Sequence, residues 1–156
     1  MLNIREYSRL DAKATWELFF QTVRNINLQH YSKKQVEAWA SESIGFDNWE
    51  QKMESIQPFI VELDGKIVAY ADLQKDGKID HFFCHHKYQG QGVGKFLMSH
   101  ILNLGKKREV KRYYSEVSIT ARAFFEYFGF EVVTEQHLSV RGQKLTNFLM
   151  QKNIYS

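Results

Sequence analysis

Residues 84–94 read CHHKYQGQGVG and hold the side chains of this chain that are best suited to chemistry. The only cysteine and two histidines come first, and three glycines at alternate positions follow. Cysteine and histidine bind metals, a cysteine can act as a nucleophile, and glycine lets a phosphate approach the backbone. The stretch is therefore compatible with a metal site, a covalent nucleophile or a phosphate-binding loop.

The spacing of the histidines and the setting of the cysteine argue against a metal site and against a covalent nucleophile. His85 and His86 are consecutive at a predicted strand end, so their side chains should diverge, and no shared metal is expected. Cys84 has no base assigned to it, so we expect an inert buried thiol rather than a covalent acyl carrier.

The glycines lie between a predicted strand and a predicted helix. The free N–H groups of a first helical turn, together with the helix dipole, favour an anion such as phosphate; a tight turn without a ligand is the alternative. The P-loop pattern fails because position 89 is Gln and position 96 is Phe, and the dinucleotide pattern fails because position 95 is Lys. The pattern that fits residues 89–94 is Q-x-x-G-x-G.

Composition limits the class of protein. A chain of 156 residues with 44% hydrophobic and 25% charged residues predicts one globular domain, over residues 1–156. One cysteine excludes an internal disulfide, and the charged N-terminus and the lack of a long apolar run predict neither a signal peptide nor a membrane span. A net charge of +3 is too small to indicate nucleic acid. We expect a cytoplasmic enzyme or binding domain.

Hydrophobic periodicity predicts the order β, α, α, β, β, β, α, β, α, β, β, which is typical of an α+β or mixed α/β fold. The predicted elements are a strand at 2–7, helices at 10–26 and 32–41, an antiparallel meander at 59–63, 66–73 and 78–84, a helix from 93 to near Gly105, a strand at 112–117, a helix at 121–128 and strands at 130–140 and 144–151. Ser32 is the expected N-cap of the second helix. Residues 42–57 stay unassigned.

Two stretches resemble the GNAT N-acetyltransferase superfamily. FFCHHKYQGQGVG, residues 82–94, resembles its acyl-CoA-binding motif, and ARAFFEYFGF, residues 121–130, resembles its helix that ends in x-G-F. Because the order of elements also agrees, the resemblance covers essentially the whole chain. It implies the GNAT fold, a mixed and mostly antiparallel sheet flanked by helices, with acetyl-CoA as the acyl donor and no metal.

The resemblance implies how acetyl-CoA is held. The pyrophosphate would lie on the backbone of the glycine turn, which comprises Gln89, Gly90, Gln91, Gly92, Val93 and Gly94, with Lys95 next along the helix. The strand of Phe82, Phe83 and Cys84 would border the pantetheine arm, and one of its amides would polarise the thioester carbonyl. The helix near Ala121 and Phe125 would close the other side.

The resemblance also implies direct attack by an amine in a ternary complex. Asp80 lies where many members carry a carboxylate, and it is the predicted proton acceptor; an ordinary surface carboxylate is the alternative. His81 should face the other side of that strand. Phe125 replaces the tyrosine that often protonates the thiolate. Ser118 replaces a frequent asparagine, so it is a predicted catalytic residue, or it merely caps the helix.

Three functions stay open. The first is acetyl-CoA-dependent N-acetylation of a small-molecule or protein amine, and the second is a catalytically silent acyl-CoA-binding sensor. The third, nucleic-acid binding by residues 106–112, is disfavoured because that basic run is confined to one helix end. The expected partners are acetyl-CoA and an amine, without nucleic acid or membrane, and a homodimer is compatible with the sequence. The N-terminal aromatic residues are expected either to line an acceptor pocket or to fill the core.

Overall fold

The computed structural model of the protein describes residues 1–154. Within this range the strands are β1 Leu2–Glu6, β2 Phe59–Leu63, β3 Lys66–Ala71, β4 Phe82–Cys84, β5 Arg112–Ser118, β6 Glu131–Val140 and β7 Gln143–Asn153. The α-helices are α1 Ala12–Ile26, α2 Lys33–Trp39, α3 Phe46–Ile56, α4 Val93–Lys107 and α5 Arg122–Tyr127. The predicted α/β class and the predicted order of elements are confirmed, and α3 fills the stretch that the sequence left unassigned.

The strands form two antiparallel sheets, one in the order β1-β2-β3-β4 and the other in the order β5-β7-β6. The sheets meet at one point, where the Ile79 amide donates to the Tyr114 carbonyl (2.8 Å) and the Tyr114 amide donates to the Gly77 carbonyl (3.1 Å). Beyond that bridge β4 and β5 run in the same direction but do not pair. Their separation leaves an opening between the sheets, and both cavities described below border it.

Helices cover both faces of the first sheet, because its strands carry apolar residues on alternate sides. Ile60 and Tyr70 face a core that contains α1 and α3, whereas Val61 and Ala69 face a core that contains α4. All four side chains are fully buried. This pattern is typical of a sheet that is protected from water on both sides.

Two helix boundaries illustrate local chemistry. Ser32 caps α2 as predicted, since its hydroxyl accepts from the Gln35 amide and the Gln35 side chain accepts from the Ser32 amide. Helix α4 ends at Lys107, within two residues of the predicted end near Gly105. A Cβ on Gly105 would lie 2.0 Å from the Tyr113 hydroxyl, so this glycine makes room for a buried tyrosine and does not end the helix.

The predicted third strand of the meander is also shorter than expected. Only Phe82–Cys84 pairs as a strand, antiparallel to β3. Ahead of it, the amides of Asp80 and His81 donate to the Asp72 carboxylate at 2.9 and 2.7 Å. A buried side chain therefore replaces part of the strand ladder at this point.

Candidate active site

A cavity of about 390 Å³ lies at the opening between β4 and β5. It is lined by the predicted catalytic residue Ser118 and by most of the predicted cofactor residues, namely Phe82, Phe83, Cys84, Gln89, Gly90, Gly92, Gly94, Lys95 and Ala121. Residues that the sequence did not single out complete it: Thr22, Ile26 and Asn27 from α1 and its end, together with Tyr88, Thr120 and Phe124. We call this the first cavity.

The glycine turn forms one end of the first cavity. Gly90 and Gly92 have φ values of 73° and 82°, a conformation that glycine adopts without steric cost. Gly92 is the N-cap of the 15-residue helix α4, and no acidic side chain occupies the first turn of that helix. The free N–H groups of that turn and the nearby Lys95 ammonium make this end of the cavity suitable for an anion.

Three predicted residues of the motif and its partner helix do not line the first cavity. Val93 is buried in the core, Gln91 is exposed with its side chain donating to the Lys87 carbonyl (3.4 Å), and Phe125 is only 3% exposed. Gln91 and Val93 can contribute only backbone groups. Phe124, rather than Phe125, is the aromatic residue of α5 that faces the cavity.

Strand β4 presents backbone groups to the first cavity. The His85 amide bonds to Val68 of β3, and the His81 carbonyl accepts from Asp72, the residue after β3. The alternate amides, those of Phe82 and Cys84, therefore point away from β3 toward the opening. The Cys84 carbonyl accepts from the Thr22 hydroxyl (2.9 Å) and from the Gln89 side chain (3.0 Å). Gln89 therefore fixes the glycine turn against β4, which explains a glutamine at this position.

The cysteine and histidines show no metal or nucleophile geometry. Burial raises the pKa of the Cys84 thiol to about 12, so the thiolate is disfavoured near neutral pH. The prediction that His85 and His86 diverge was wrong: their rings stack with centroids 4.7 Å apart, because β4 ends at Cys84 and the chain turns there. Within residues 1–154, no group of three His, Cys, Asp or Glu side chains converges closely enough to hold a metal ion.

A second cavity of about 230 Å³ lies beside the first. It is lined by Phe19, Tyr31, Trp39, Asp80, His81, Phe83, Glu116, Ser118, Leu138, Val140, Leu145, Thr146 and Asn147. Asp80 and His81 both line it, so the prediction that they face opposite sides was wrong. Strand alternation does not apply to them, because their amides bond to the Asp72 carboxylate before β4 begins.

Asp80 is held by two lysines. Its carboxylate oxygens lie 2.5 Å from Lys52 Nζ and 3.9 Å from Lys78 Nζ. Partial burial opposes ionisation, but the hydrogen-bonded Lys52, together with the charge of His81 at acidic pH and the charge of Lys78, lowers the pKa of Asp80 below its usual value. Asp80 is therefore ionised at neutral pH.

His81 stays neutral at the same pH. Burial lowers the pKa of its imidazole to about 4, although the neighbouring Asp80 carboxylate acts in the opposite direction. His81 Nδ1 lies 3.1 Å from the Tyr70 hydroxyl, and the ring borders the second cavity. A neutral imidazole can accept a proton, a property that the sequence pattern alone did not assign to this residue.

The two cavities share two wall residues, Phe83 and Ser118. The Ser118 hydroxyl accepts from the Ala121 amide (3.1 Å), so it caps the turn that leads into α5. Its own hydrogen remains available for donation into either cavity. A reaction that joins a molecule in one cavity to a molecule in the other would take place at this shared wall.

Comparison with known proteins assigns the family. The model of the acetyltransferase (GNAT) domain matches residues 27–152. The chain belongs to the GNAT acetyltransferase family. Among curated proteins, the uncharacterized N-acetyltransferase YafP of Escherichia coli K12 is 30% identical over 149 residues, which cover 96% of this chain and 94% of YafP.

Solved structures agree with this family. A GCN5-related N-acetyltransferase from Rhodopseudomonas palustris has a TM-score of 0.92 at 27% identity, covering 97% of this chain and 95% of that one. YncA from Salmonella typhimurium, solved with its cofactor acetyl-CoA, has a TM-score of 0.71 at 18% identity over 97% of this chain and 93% of that one. The second likeness shows the fold alone.

The position of Phe125 is unusual against the GNAT pattern stated above. This phenylalanine contacts the rings of Phe82 and Phe130, with centroids 5.8 and 5.0 Å away, and belongs to the core. A hydroxyl at this position would be buried in apolar surroundings. In this GNAT protein Ser118 supplies a hydroxyl at the shared wall.

Proposed function

We propose that this protein is an acetyl-CoA-dependent N-acetyltransferase that holds acetyl-CoA in the first cavity and an amine in the second, with direct attack in a ternary complex. The observation that carries the proposal is the shared wall of Phe83 and Ser118. Two reactants bound on either side of it meet without a covalent enzyme intermediate, and orientation of this kind lowers the barrier to a bimolecular reaction. The high pKa of Cys84 supports a route without an acyl-cysteine.

In this proposal the pyrophosphate of acetyl-CoA lies on the amides of Gln89–Gly94, near Lys95. The outward amides of Phe82 and Cys84 bond the pantetheine arm or the thioester carbonyl. A fixed amide dipole near that carbonyl stabilises the negative charge that develops when the amine attacks. Phe124 and Ala121 border the same cavity from the opposite side.

The amine must lose a proton before or during attack. For an ammonium with a pKa of about 10.4, deprotonation at neutral pH costs about 4–5 kcal/mol. Asp80, the predicted proton acceptor, lies on the acceptor cavity, but its ion pair with Lys52 stabilises the charged form and weakens it as a base. His81 lies beside it as a neutral imidazole and is the second candidate for this role, although burial, which lowers its pKa to about 4, weakens it as a base as well.

Ser118 is the proposed hydrogen-bond donor to the departing thiolate. Its oxygen already accepts from the Ala121 amide, so its hydrogen is free to point toward the sulfur. The residue lines both cavities, as a group acting between donor and acceptor must.

The first test measures binding of acetyl-CoA by thermal shift. At about 100 times the Kd, a bound ligand stabilises the folded state by roughly 2.7 kcal/mol, so a clear rise in Tm is expected. Gly92→Val should abolish the rise, since it places a side chain at the proposed pyrophosphate site. Gly142→Val is the matched control, because Gly142 has nearly the same φ (83° against 82°) and open space, but lies in the β6–β7 turn. Equal shifts in both variants would reject the pyrophosphate placement.

The second test separates an enzyme from a silent acyl-CoA sensor. Release of CoA thiol is followed with acetyl-CoA and a panel of amines; a thermal shift without thiol release identifies the sensor. Asp80→Asn and His81→Gln should spare the shift, and the variant that removes the proton acceptor should lose kcat and the acidic limb of the pH profile. Full turnover in Asp80→Asn would reject Asp80 as the base.

The remaining expectations on partners and location stay predictions. Among residues 1–154, every helix is too short or too polar to cross a bilayer. A cytoplasmic location, a lack of nucleic-acid binding and a homodimer are each open to direct measurement, by fractionation, by electrophoretic mobility shift and by light scattering.

A further inference from the structure

The walls of the second cavity come from four parts of the chain. Phe19, Tyr31 and Trp39 belong to the N-terminal helical region, Asp80–Phe83 lies before and within β4, Glu116 and Ser118 lie in β5, and Leu138–Asn147 belongs to the β6–β7 hairpin. These parts enclose a space of about 230 Å³. This volume corresponds to roughly eight water molecules at about 30 Å³ each. It is smaller than the pockets of about 300–1,000 Å³ that bind drug-sized ligands.

Aromatic rings form a continuous wall of this cavity. The Phe19 and Phe83 ring centroids are 5.2 Å apart, those of Phe83 and Trp39 are 6.4 Å apart, and those of Trp39 and Tyr31 are 5.6 Å apart. The Tyr31 hydroxyl is fixed between the Thr146 carbonyl (2.5 Å) and the Ile119 amide (3.0 Å). Mutually packed rings of this kind favour a flat apolar group that stacks or meets them edge-on.

The charged groups of the wall are acidic. Asp80 and Glu116 line the cavity, and no lysine or arginine does so within residues 1–154. Lys52 and Lys78 bind the Asp80 carboxylate but do not line the cavity, while Glu116 is exposed and forms no ion pair in the described part of the chain. Because Lys52 and Lys78 offset the charge of Asp80, an ammonium is attracted mainly to Glu116 and to the aromatic faces, whereas a ligand carboxylate would find no lysine or arginine in the wall itself.

We infer that the second cavity takes a compact primary amine with one flat apolar group and without a carboxylate. The inference rests on the proposed function, because it names the acceptor of the same reaction. The small volume disfavours an aminoglycoside, the aromatic wall disfavours a polyamine, and the absence of a lysine or arginine in the wall disfavours an amino acid. The amine nitrogen points to the shared wall at Phe83 and Ser118, and the flat group lies toward Trp39 and Leu145.

The test compares matched acceptors in the CoA-release assay. The kcat/KM for 2-phenylethylamine should exceed that for phenylalanine at least about tenfold, since phenylalanine adds only the carboxylate, and it should also exceed that for spermidine. If phenylalanine or spermidine is used as well or better while acetyl-CoA raises the Tm, the inference is wrong and the proposed function stands. If no amine releases CoA, both fail.

A pair of tryptophan variants tests the aromatic wall. Trp39→Leu should raise the KM for 2-phenylethylamine by about tenfold, yet leave the KM for n-propylamine and the Tm shift with acetyl-CoA close to wild type. Trp16→Leu is the matched control, because Trp16 is also partly buried but lines neither cavity. An equal rise for both amines in Trp39→Leu, or an equal rise in both variants, would show a general structural effect and overturn the assignment of this wall.

Discussion

The buried carboxylate of Asp72 offers a quantitative test of how the acceptor side of the site is held. Asp72 is fully buried, and it accepts from the amides of Asp80 and His81 and from the Gln74 side chain (2.7 Å). Burial, only partly offset by these donors, raises the pKa of Asp72 from 3.8 to about 6. Asp72→Asn keeps a carbonyl oxygen for the two amides and removes the charge.

The magnitude follows from the pKa difference. Raising the pKa from 3.8 to about 6 corresponds to about 3 kcal/mol, at about 1.36 kcal/mol for each pKa unit. The folded-state pKa lies above the unfolded value, so the folded protein holds an extra proton between them and loses stability as the pH rises through that window. Part of this titration lies below pH 4. The free energy of unfolding of wild type minus that of Asp72→Asn should therefore fall by about 2 kcal/mol between about pH 4 and pH 7.

Urea denaturation of both proteins across this pH range measures the difference, and subtraction cancels groups that titrate alike in both. Asp76→Asn is the matched control in the same loop. Asp76 is exposed, and the hydrogen bond from the Tyr114 hydroxyl lowers the pKa of Asp76. The free energy of unfolding of wild type minus that of Asp76→Asn should therefore rise with pH. A flat or rising difference for Asp72→Asn would refute the reasoning, because it would mean that the folded protein holds Asp72 ionised without cost.

Three further predictions concern packing and reactivity. A Cβ at Gly105 would lie 2.0 Å from the Tyr113 hydroxyl, so Gly105→Ala should lower the free energy of unfolding in urea by about 1–3 kcal/mol, although alanine favours helix; a more stable variant would contradict this. At pH 8 a thiol reagent should label Cys84 far more slowly in folded than in urea-unfolded protein, since burial raises the pKa of the thiol to about 12; equal rates would be the opposing result. Phe125→Tyr should lower the free energy of unfolding by about 1–3 kcal/mol, because it buries a hydroxyl, and should leave kcat unchanged; a gain in kcat would place this residue at the thioester.

The acyl-CoA half of the candidate site could be predicted because it is nearly contiguous in the chain. Residues 82–95 contain one strand, one turn and the first residues of one helix, and the glycine spacing that the turn requires is visible in the sequence. The sequence did not identify Thr22 or Asn27, which reach the cavity from α1 and its end. Their contribution depends on how a distant helix packs on the sheet, and a helical repeat of apolar residues does not specify that.

Periodicity also failed to predict the extent of β4, because a side chain there accepts hydrogen bonds from backbone amides. The Asp72 carboxylate takes the amides that a longer β4 would have paired, and it thereby turns Asp80 and His81 toward the same cavity. Gly105 is a second example. Glycine often ends a helix, but this glycine lies within α4 and makes room for a tyrosine of β5. In each instance a contact between residues eight or nine positions apart outweighs the preference of the residue for helix end or strand.

The acceptor half was the least predictable part, and its construction explains why. Phe19, Tyr31 and Trp39 lie far from the motif in sequence, and the 15% aromatic content fits a core as well as it fits a pocket. The structure divides the aromatic residues: Trp49 is 3% exposed in the core, whereas Trp39 stays partly exposed on the cavity wall. Backbone amides that bind a pyrophosphate need a particular turn, which constrains sequence locally. Side chains that select an amine need only meet in space, so specificity in this fold depends on contacts that no local pattern records.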